Sequence, residues 1–490
     1  MGQGQAHREA MEKGPGYHEV MERKGEIVKK AVGIDYSRFE RGTLAFDYEG
    51  LMVETGYSLD EIRRIQREAG VGRTPLIELN NITELVRRIS PPGKGARIFV
   101  KDEAVNPSGS FKARRAAVSV YHAARQGYKG VIAATSGNYG AAVASQAAMR
   151  SLDCIVVQEV FDSRGVGQPE ILEKGRKCEA FGAEVVQLSV GPELFYVFLV
   201  LLEETGFFNA SLYTPFAIAG IETLGFEIAE ELMAREGRAP DAVVITHAGG
   251  GNVTGTARGL AQGGCTETEI IGASVDLSGL HMASDLDFNR KSFTTGHTGF
   301  GIPFATWPDR TDVPRNAARP LRYMDRYVTV TQGEVFYVTE MLAQLEGLER
   351  GPAGNTSLAA AVSLAREMDS DQILVVQETE YTGAGKHPTA QLTFAREKGI
   401  EIRRGDPRDG VPGQCIVIPD SPHQVQHVDL DLDALRESYI MKAAADTDCP
   451  GELLAEDIAF LAAETKTEGA FVYRVLKKLT RMEKSRAARD

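Results

Sequence analysis

The sequence predicts an α/β fold of two open, twisted parallel-sheet lobes, with helical extensions at both ends. Two observations carry that expectation. From Gly72 onward, short apolar β-rich runs alternate with helix-period segments, the sequence form of parallel strands joined by crossover helices. Several of those runs lead directly into glycine- and hydroxyl-rich turns, which is where open parallel sheets gather ligand-binding groups, at the carboxyl ends of their strands.

Taken in order, residues 1–70 read as a helical extension, polar apart from Ile27, Val28, Leu51, Met52, Ile62 and Ile65. The core spans 71–440 as two interwoven lobes, the smaller at about 115–215. Strands are expected at 97–102, 131–135, 154–160, 184–190, 242–246, 270–275, 372–378 and 400–404, the last closing a sheet. Helices are expected after Lys112, from Tyr139, at 169–181, 218–234, after Asn252, and at 332–349, 356–368 and 388–398. Residues 277–326 lack periodicity and hold His281, His297 and Trp307; a loop this long reads as a lid or binding element. Residues 441–490 read as a charged helical extension that offers a docking surface.

Composition narrows the function classes. The net charge of −13 disfavours a broad nucleic-acid or acidic-membrane surface, leaving small-molecule chemistry as the default. Five scattered cysteines without a C-x-x-C pair suggest neither a disulfide framework nor a thiolate metal site, so no metal is expected. The first 30 residues lack an apolar core for export, and no run reaches the roughly 18 apolar residues of a membrane span; a cytoplasmic protein is expected.

Four turns carry the chemistry. Asn106-Pro107-Ser108-Gly109-Ser110-Phe111-Lys112 places a lysine at a loop-to-helix junction after a strand, with Ser108 or Ser110 available as a helix cap. A primary amine whose surroundings lower its pKa is a nucleophile, and its commonest cofactor partner is the aldehyde of pyridoxal 5'-phosphate. Thr135-Ser136-Gly137-Asn138 follows a strand and opens a helix, offering hydroxyls and N–H groups to an anion. His247-Ala248-Gly249-Gly250-Gly251-Asn252 does the same with three glycines, which permit the close multi-amide approach a phosphate requires; no Walker or dinucleotide pattern is present. Thr382-Gly383-Ala384-Gly385 ends a buried strand and can turn a hydroxyl toward a ring nitrogen. Each turn alone is also ordinary turn chemistry; the four in this order, each at a strand end, are specific.

In these motifs residues 72–405 resemble the fold type II pyridoxal-phosphate enzymes, the group of threonine synthase and the tryptophan synthase β chain. The resemblance implies that Lys112 anchors the cofactor and, once released, moves the Cα proton. It implies that Asn138 lies beside the cofactor's 3'-oxygen, and that Gly249, Gly250, Gly251 and Asn252 hold its phosphate. It further implies that Thr382 faces the pyridine nitrogen, with Glu378 and Glu380 close by. Ser110, Thr135, Ser136, Gly137 and Asn138 would then take the substrate carboxylate. A closer resemblance runs to about residue 440 through Gly137 to Met149, Ser163 to Glu170, Ser292 to Asp312 and Arg350 to Ala361. It is to pyridoxal-phosphate subunits of thiolases from ornithine breakdown, which cleave 2-amino-4-oxopentanoate with coenzyme A to acetyl-CoA and alanine. That resemblance implies an amino acid substrate, coenzyme A, a small α subunit as partner, and a homodimer of this chain within a hetero-oligomer. Arg310, Arg315, Arg319, Arg322 and Arg326 are candidates for the phosphates of coenzyme A, or else form a subunit-facing basic rim. A threonine synthase- or dehydratase-like lyase without coenzyme A, and a non-catalytic cofactor-binding scaffold, stay open at this point.

Overall fold

The structure is a computed structural model that describes residues 16–135, 137–191, 193–277, 287–293, 311–381, 388–445, 447 and 453–487. Its larger sheet has seven strands: β1 (Leu76–Glu78), β2 (Arg97–Asp102), β7 (Ala242–Thr246), β8 (Glu269–Val275), β9 (Arg326–Val330), β10 (Ile373–Glu378) and β13 (Val428–Asp429), in the order β1-β2-β10-β7-β8-β9-β13. The five inner strands run parallel, while β1 and β13 pair antiparallel at the edges. The smaller sheet is parallel and has four strands: β3 (Gly130–Thr135), β4 (Asp153–Phe161), β5 (Glu184–Ser189) and β6 (Phe208–Asn209), ordered β5-β4-β3-β6.

Strand period explains how the larger sheet is clothed. Side chains alternate between faces along a strand. Ile98, Val100, Val244, Leu374 and Val376 enter one core with the helices Asn80–Ile89, Gln332–Glu346 and Asn355–Leu364. Phe99, Val243, Ile245, Ile373 and Val375 enter another with the helices Pro215–Glu236 and Gly251–Gln262. β10 is buried at all six positions, as a central parallel strand covered on both faces must be.

The segment before the core forms the helices Tyr17–Glu22, Lys24–Val32, Tyr48–Val53 and Leu59–Glu68. Val28, Val32 and Leu51 are buried in the apolar cluster that also holds β3, β4 and the helices Asn138–Met149 and Glu193–Thr205. At the other end, Asp457 accepts hydrogen bonds from the N–H groups of Leu44 and Ala45, and Arg319 pairs with Glu464, so the last helices dock on the body of the chain.

The 400–404 run differs from its expected role. As β11 (Glu401–Arg404) it pairs in parallel with β12 (Cys415–Ile418) in a separate two-stranded sheet instead of closing a larger one. The arginine reading is corrected for Arg319, Arg322 and Arg326. Arg319 is buried against Glu464 and Glu49, Arg322 reaches Glu464, and Arg326 pairs with Asp429 and Glu367. Arginines neutralised by carboxylates at this range have little left for a phosphate. Arg315 lies over the Phe46 ring, while Arg310, His281, His297, Trp307 and Cys449 lie outside the described residues.

Candidate active site

The lysine turn is tied to the exit of β10. Gly109 donates its N–H to the Asn106 carbonyl at 2.6 Å, and its own carbonyl accepts from Tyr381 N–H at 2.8 Å. Phe111 N–H donates to the Thr379 carbonyl at 3.1 Å. Gly109 has φ +78°, and a Cβ there would collide with the Tyr381 carbonyl, so only glycine allows this junction. From the other side, Lys177 Nζ donates to the Ser108 carbonyl at 2.8 Å. Lys112 is the first residue of the helix Lys112–Arg125, half-buried, with Nζ 4.5 Å from the Phe111 ring centre.

The expected serine cap is not formed. Phe111 stands at the N-cap position with helical dihedrals and no side-chain cap bond, which leaves Ser108 and Ser110 upstream of the helix. Their hydroxyls are buried and unpartnered, and therefore available to a ligand.

Because β2, β10 and β7 are sheet neighbours, the Lys112 turn, the Thr379–Tyr381 exit and the glycine loop meet at one edge. In that loop, Gly250 has φ +81°. A Cβ on Gly249 would strike the Tyr213 hydroxyl, and one on Gly251 would strike Nη2 of Arg115. Asn252, in the first turn of the helix Gly251–Gln262, has both amide atoms buried without a partner. His247 is buried, and burial holds its pKa down at about 4, so the ring is neutral.

The smaller sheet supplies the remaining turn. Thr135 ends β3, and its hydroxyl accepts from Gly137 N–H at 3.0 Å. Asn138 begins the next helix with its buried Oδ1 unpartnered. Ser136 and Thr382 lie outside the described residues. Behind the site, Gly354 backs onto Glu378, where any Cβ would meet the carboxyl oxygens, and Arg350 Nε holds Asp102 at 2.8 Å. Burial, with Asp102 beside it, raises the Glu378 carboxyl well above its ordinary value, which favours its protonated form.

Arg115 was not singled out by sequence reading. It lies one turn after Lys112 and therefore on the same helix face. Two adjacent arginines in the otherwise small and apolar run Lys112 to Val120 were the available signal.

Residues 67–378 match the family described as "Pyridoxal-phosphate dependent enzyme". The chain belongs to this family. Over 469 residues it is 66% identical to the 2-amino-4-ketopentanoate thiolase β subunit of Acetoanaerobium sticklandii, covering 96% of this chain and 100% of that protein. A protein of the same name from an unspecified prokaryote is also 66% identical, over 96% of this chain and 99% of its own length. At that identity and coverage the chain is a member of the thiolase β-subunit family within the pyridoxal-phosphate enzymes. A threonine synthase of Halalkalibacterium halodurans is 28% identical over 62% of this chain and 79% of its own.

The residues present fit pyridoxal phosphate. A glycine loop at a helix N-terminus, the unpartnered amide of Asn252 and the guanidinium at Gly251 suit a phosphate. The half-buried Lys112 amine and the unpartnered Asn138 Oδ1 suit an aldehyde and its neighbouring hydroxyl. Among the described residues no group of three or more His, Cys, Asp or Glu is placed to hold a metal, and no helix is long and apolar enough to cross a membrane.

Proposed function

We propose that this chain is the cofactor-bearing subunit of a cytoplasmic enzyme that cleaves 2-amino-4-oxopentanoate with coenzyme A to acetyl-CoA and alanine, in ornithine degradation. The observation that carries the reading is 66% identity over 96% of the chain to proteins named for that thiolase. Pyridoxal phosphate supplies an electron-withdrawing ring that stabilises negative charge next to the substrate's amino-bearing carbon. Lys112 would hold the cofactor at its aldehyde, and its amine, once released, would be the base that moves the Cα proton. Ser110, Thr135, Ser136, Gly137 and Asn138 bind the substrate carboxylate, and Asn138 also orients the cofactor ring. Gly249 to Asn252 would hold the phosphate, and the resemblance assigns Thr382, outside the described residues, to the ring nitrogen.

The thiolate adds at the C4 carbonyl, the C3–C4 bond breaks, and the acetyl group leaves on sulfur. C3 takes a proton and Cα regains the one it lost, which completes alanine. The relatives are named β subunits, which supports a small α subunit as partner; a homodimer of this chain within the hetero-oligomer is part of the proposal.

The test is to co-purify the chain with its small partner and supply 2-amino-4-oxopentanoate and coenzyme A. Acetyl-CoA and alanine in equal amounts are expected. Deamination or elimination products without acetyl-CoA would move the chain to the threonine synthase-like lyases, and no turnover of any amino acid would leave a scaffold.

A further inference from the structure

The helix Lys112–Arg125 carries two adjacent arginines, both buried, whose surroundings are opposite. Arg114 is saturated: it donates to Glu103 at 2.7 and 2.8 Å, to Glu227 at 2.7 and 3.0 Å, and to Thr223 at 3.0 Å. Arg115 is 3% exposed, yet its Nε and Nη2 are buried without a hydrogen-bond partner. Around it stand aromatic groups: the rings of Phe111 and Tyr213 lie 5.8 and 5.9 Å from its guanidinium carbon. Among the described residues the ionisable groups acting on it are the Tyr213 and Tyr139 hydroxyls, with no carboxylate. A buried cation in this condition is costly until an anion joins it.

The direction of the side chain says where the anion goes. Nη2 occupies the space beside the Cα of Gly251, where any Cβ would collide with it. Gly251 opens a 12-residue helix whose first N–H groups have no intrahelical acceptor, and Asn252 adds its unpartnered amide. Backbone donors, an amide and a planar guanidinium gathered at one helix start suit an anion with more acceptor oxygens than a carboxylate has.

We propose that Arg115 is a phosphate-binding cation, whose buried guanidinium closes the Gly249–Gly251 loop over the cofactor's phosphate monoester. The inference rests on the reading of Gly249 to Asn252 as the phosphate loop. On this arrangement the same helix holds the cofactor at both ends, through Lys112 at the aldehyde and Arg115 at the phosphate. The anion also completes the fold, since it neutralises a charge that the described residues leave open.

The test compares the full-length wild type with Arg115→Gln and Arg115→Lys, each freed of cofactor. Visible-band titration gives the Kd for pyridoxal phosphate and for pyridoxal, which lacks the phosphate; melting gives the stability of the cofactor-free proteins. In R115Q, affinity for pyridoxal phosphate is expected to fall about tenfold to hundredfold while that for pyridoxal stays within about twofold, with R115K between. Cofactor-free R115Q is expected to melt at or above the wild type, because an uncompensated buried charge has gone. Inorganic phosphate is expected to raise the melting point of the cofactor-free wild type. Equal weakening of both ligands, an unchanged Kd for pyridoxal phosphate, an R115Q that melts lower or fails to fold, or no response of the wild type to phosphate would each overturn the proposal. A wild type that forms no visible band would instead overturn the cofactor site itself.

Discussion

At the scale of single residues, burial decides what the ionisable groups of this chain can do. Arg114 and Lys101 hold the Glu227 carboxyl at about 2 in spite of the burial that pushes it up, so its charge is part of the folded state. Replacing Arg114 by Met would leave Glu103 and Glu227 buried without their main counter-ion, and a loss of about 3–5 kcal/mol is expected in chemical denaturation. A loss below about 1 kcal/mol would mean that the network is not formed as described. Glu159 shows the reverse. Burial pushes it from 4.5 to about 7, with the Gly191 N–H opposing and Glu193 adding to the rise. The folded chain therefore keeps a proton that the unfolded chain gives up. The stability this supplies is full below pH 4.5 and lost as pH rises through about 7. In Glu159→Gln the decline in melting temperature between those values should be smaller than in the wild type; an unchanged decline would refute the assignment.

At the scale of elements, the junction at Gly109 fixes where Lys112 stands. Gly109→Ala meets both a left-handed backbone, which costs about 1–2 kcal/mol, and the Tyr381 carbonyl. A lowered melting point is expected together with a weakened visible band of bound cofactor; a fully loaded and equally stable variant would show that the turn does not position the lysine. This junction was legible in the sequence because Pro107 and Gly109 mark a turn between an apolar run and a helical one. The alternation of strands and helices was legible for the same reason, since buried parallel strands such as β10 are unbroken apolar runs. Other parts were not. The helix Glu193–Thr205 is apolar on nearly every side and has no readable period, while β6 and β13 are two residues long and depend on their partners for existence. The pairing of β11 with β12 is a tertiary choice that a local pattern does not encode. The serines before Lys112 looked like caps, but the helix starts one residue after Phe111 has already taken the cap position.

At the scale of the whole molecule, the site is where two sheets converge, braced by the segment before the core. β2, β10 and β7 bring the lysine, the Thr379–Tyr381 exit and the glycine loop to one edge, and β3 adds the Thr135–Asn138 turn from the smaller sheet. Gln66, in the segment before the core, donates to the carbonyls of Arg114 and Gly220, so that segment braces the helix on which Lys112 and Arg115 stand. The sequence showed two adjacent arginines in a small, apolar run but not which of them lacks a counter-ion, because Arg115 differs from Arg114 only in its surroundings. The claim on which the rest depends is that Lys112 carries the cofactor, and it is tested by reducing the pyridoxal phosphate-loaded protein with borohydride, digesting it and locating the modified lysine by mass spectrometry. A single phosphopyridoxyl group on Lys112, absent from Lys112→Ala, is the expected result; a label on another lysine, or no label in the loaded wild type, would contradict it.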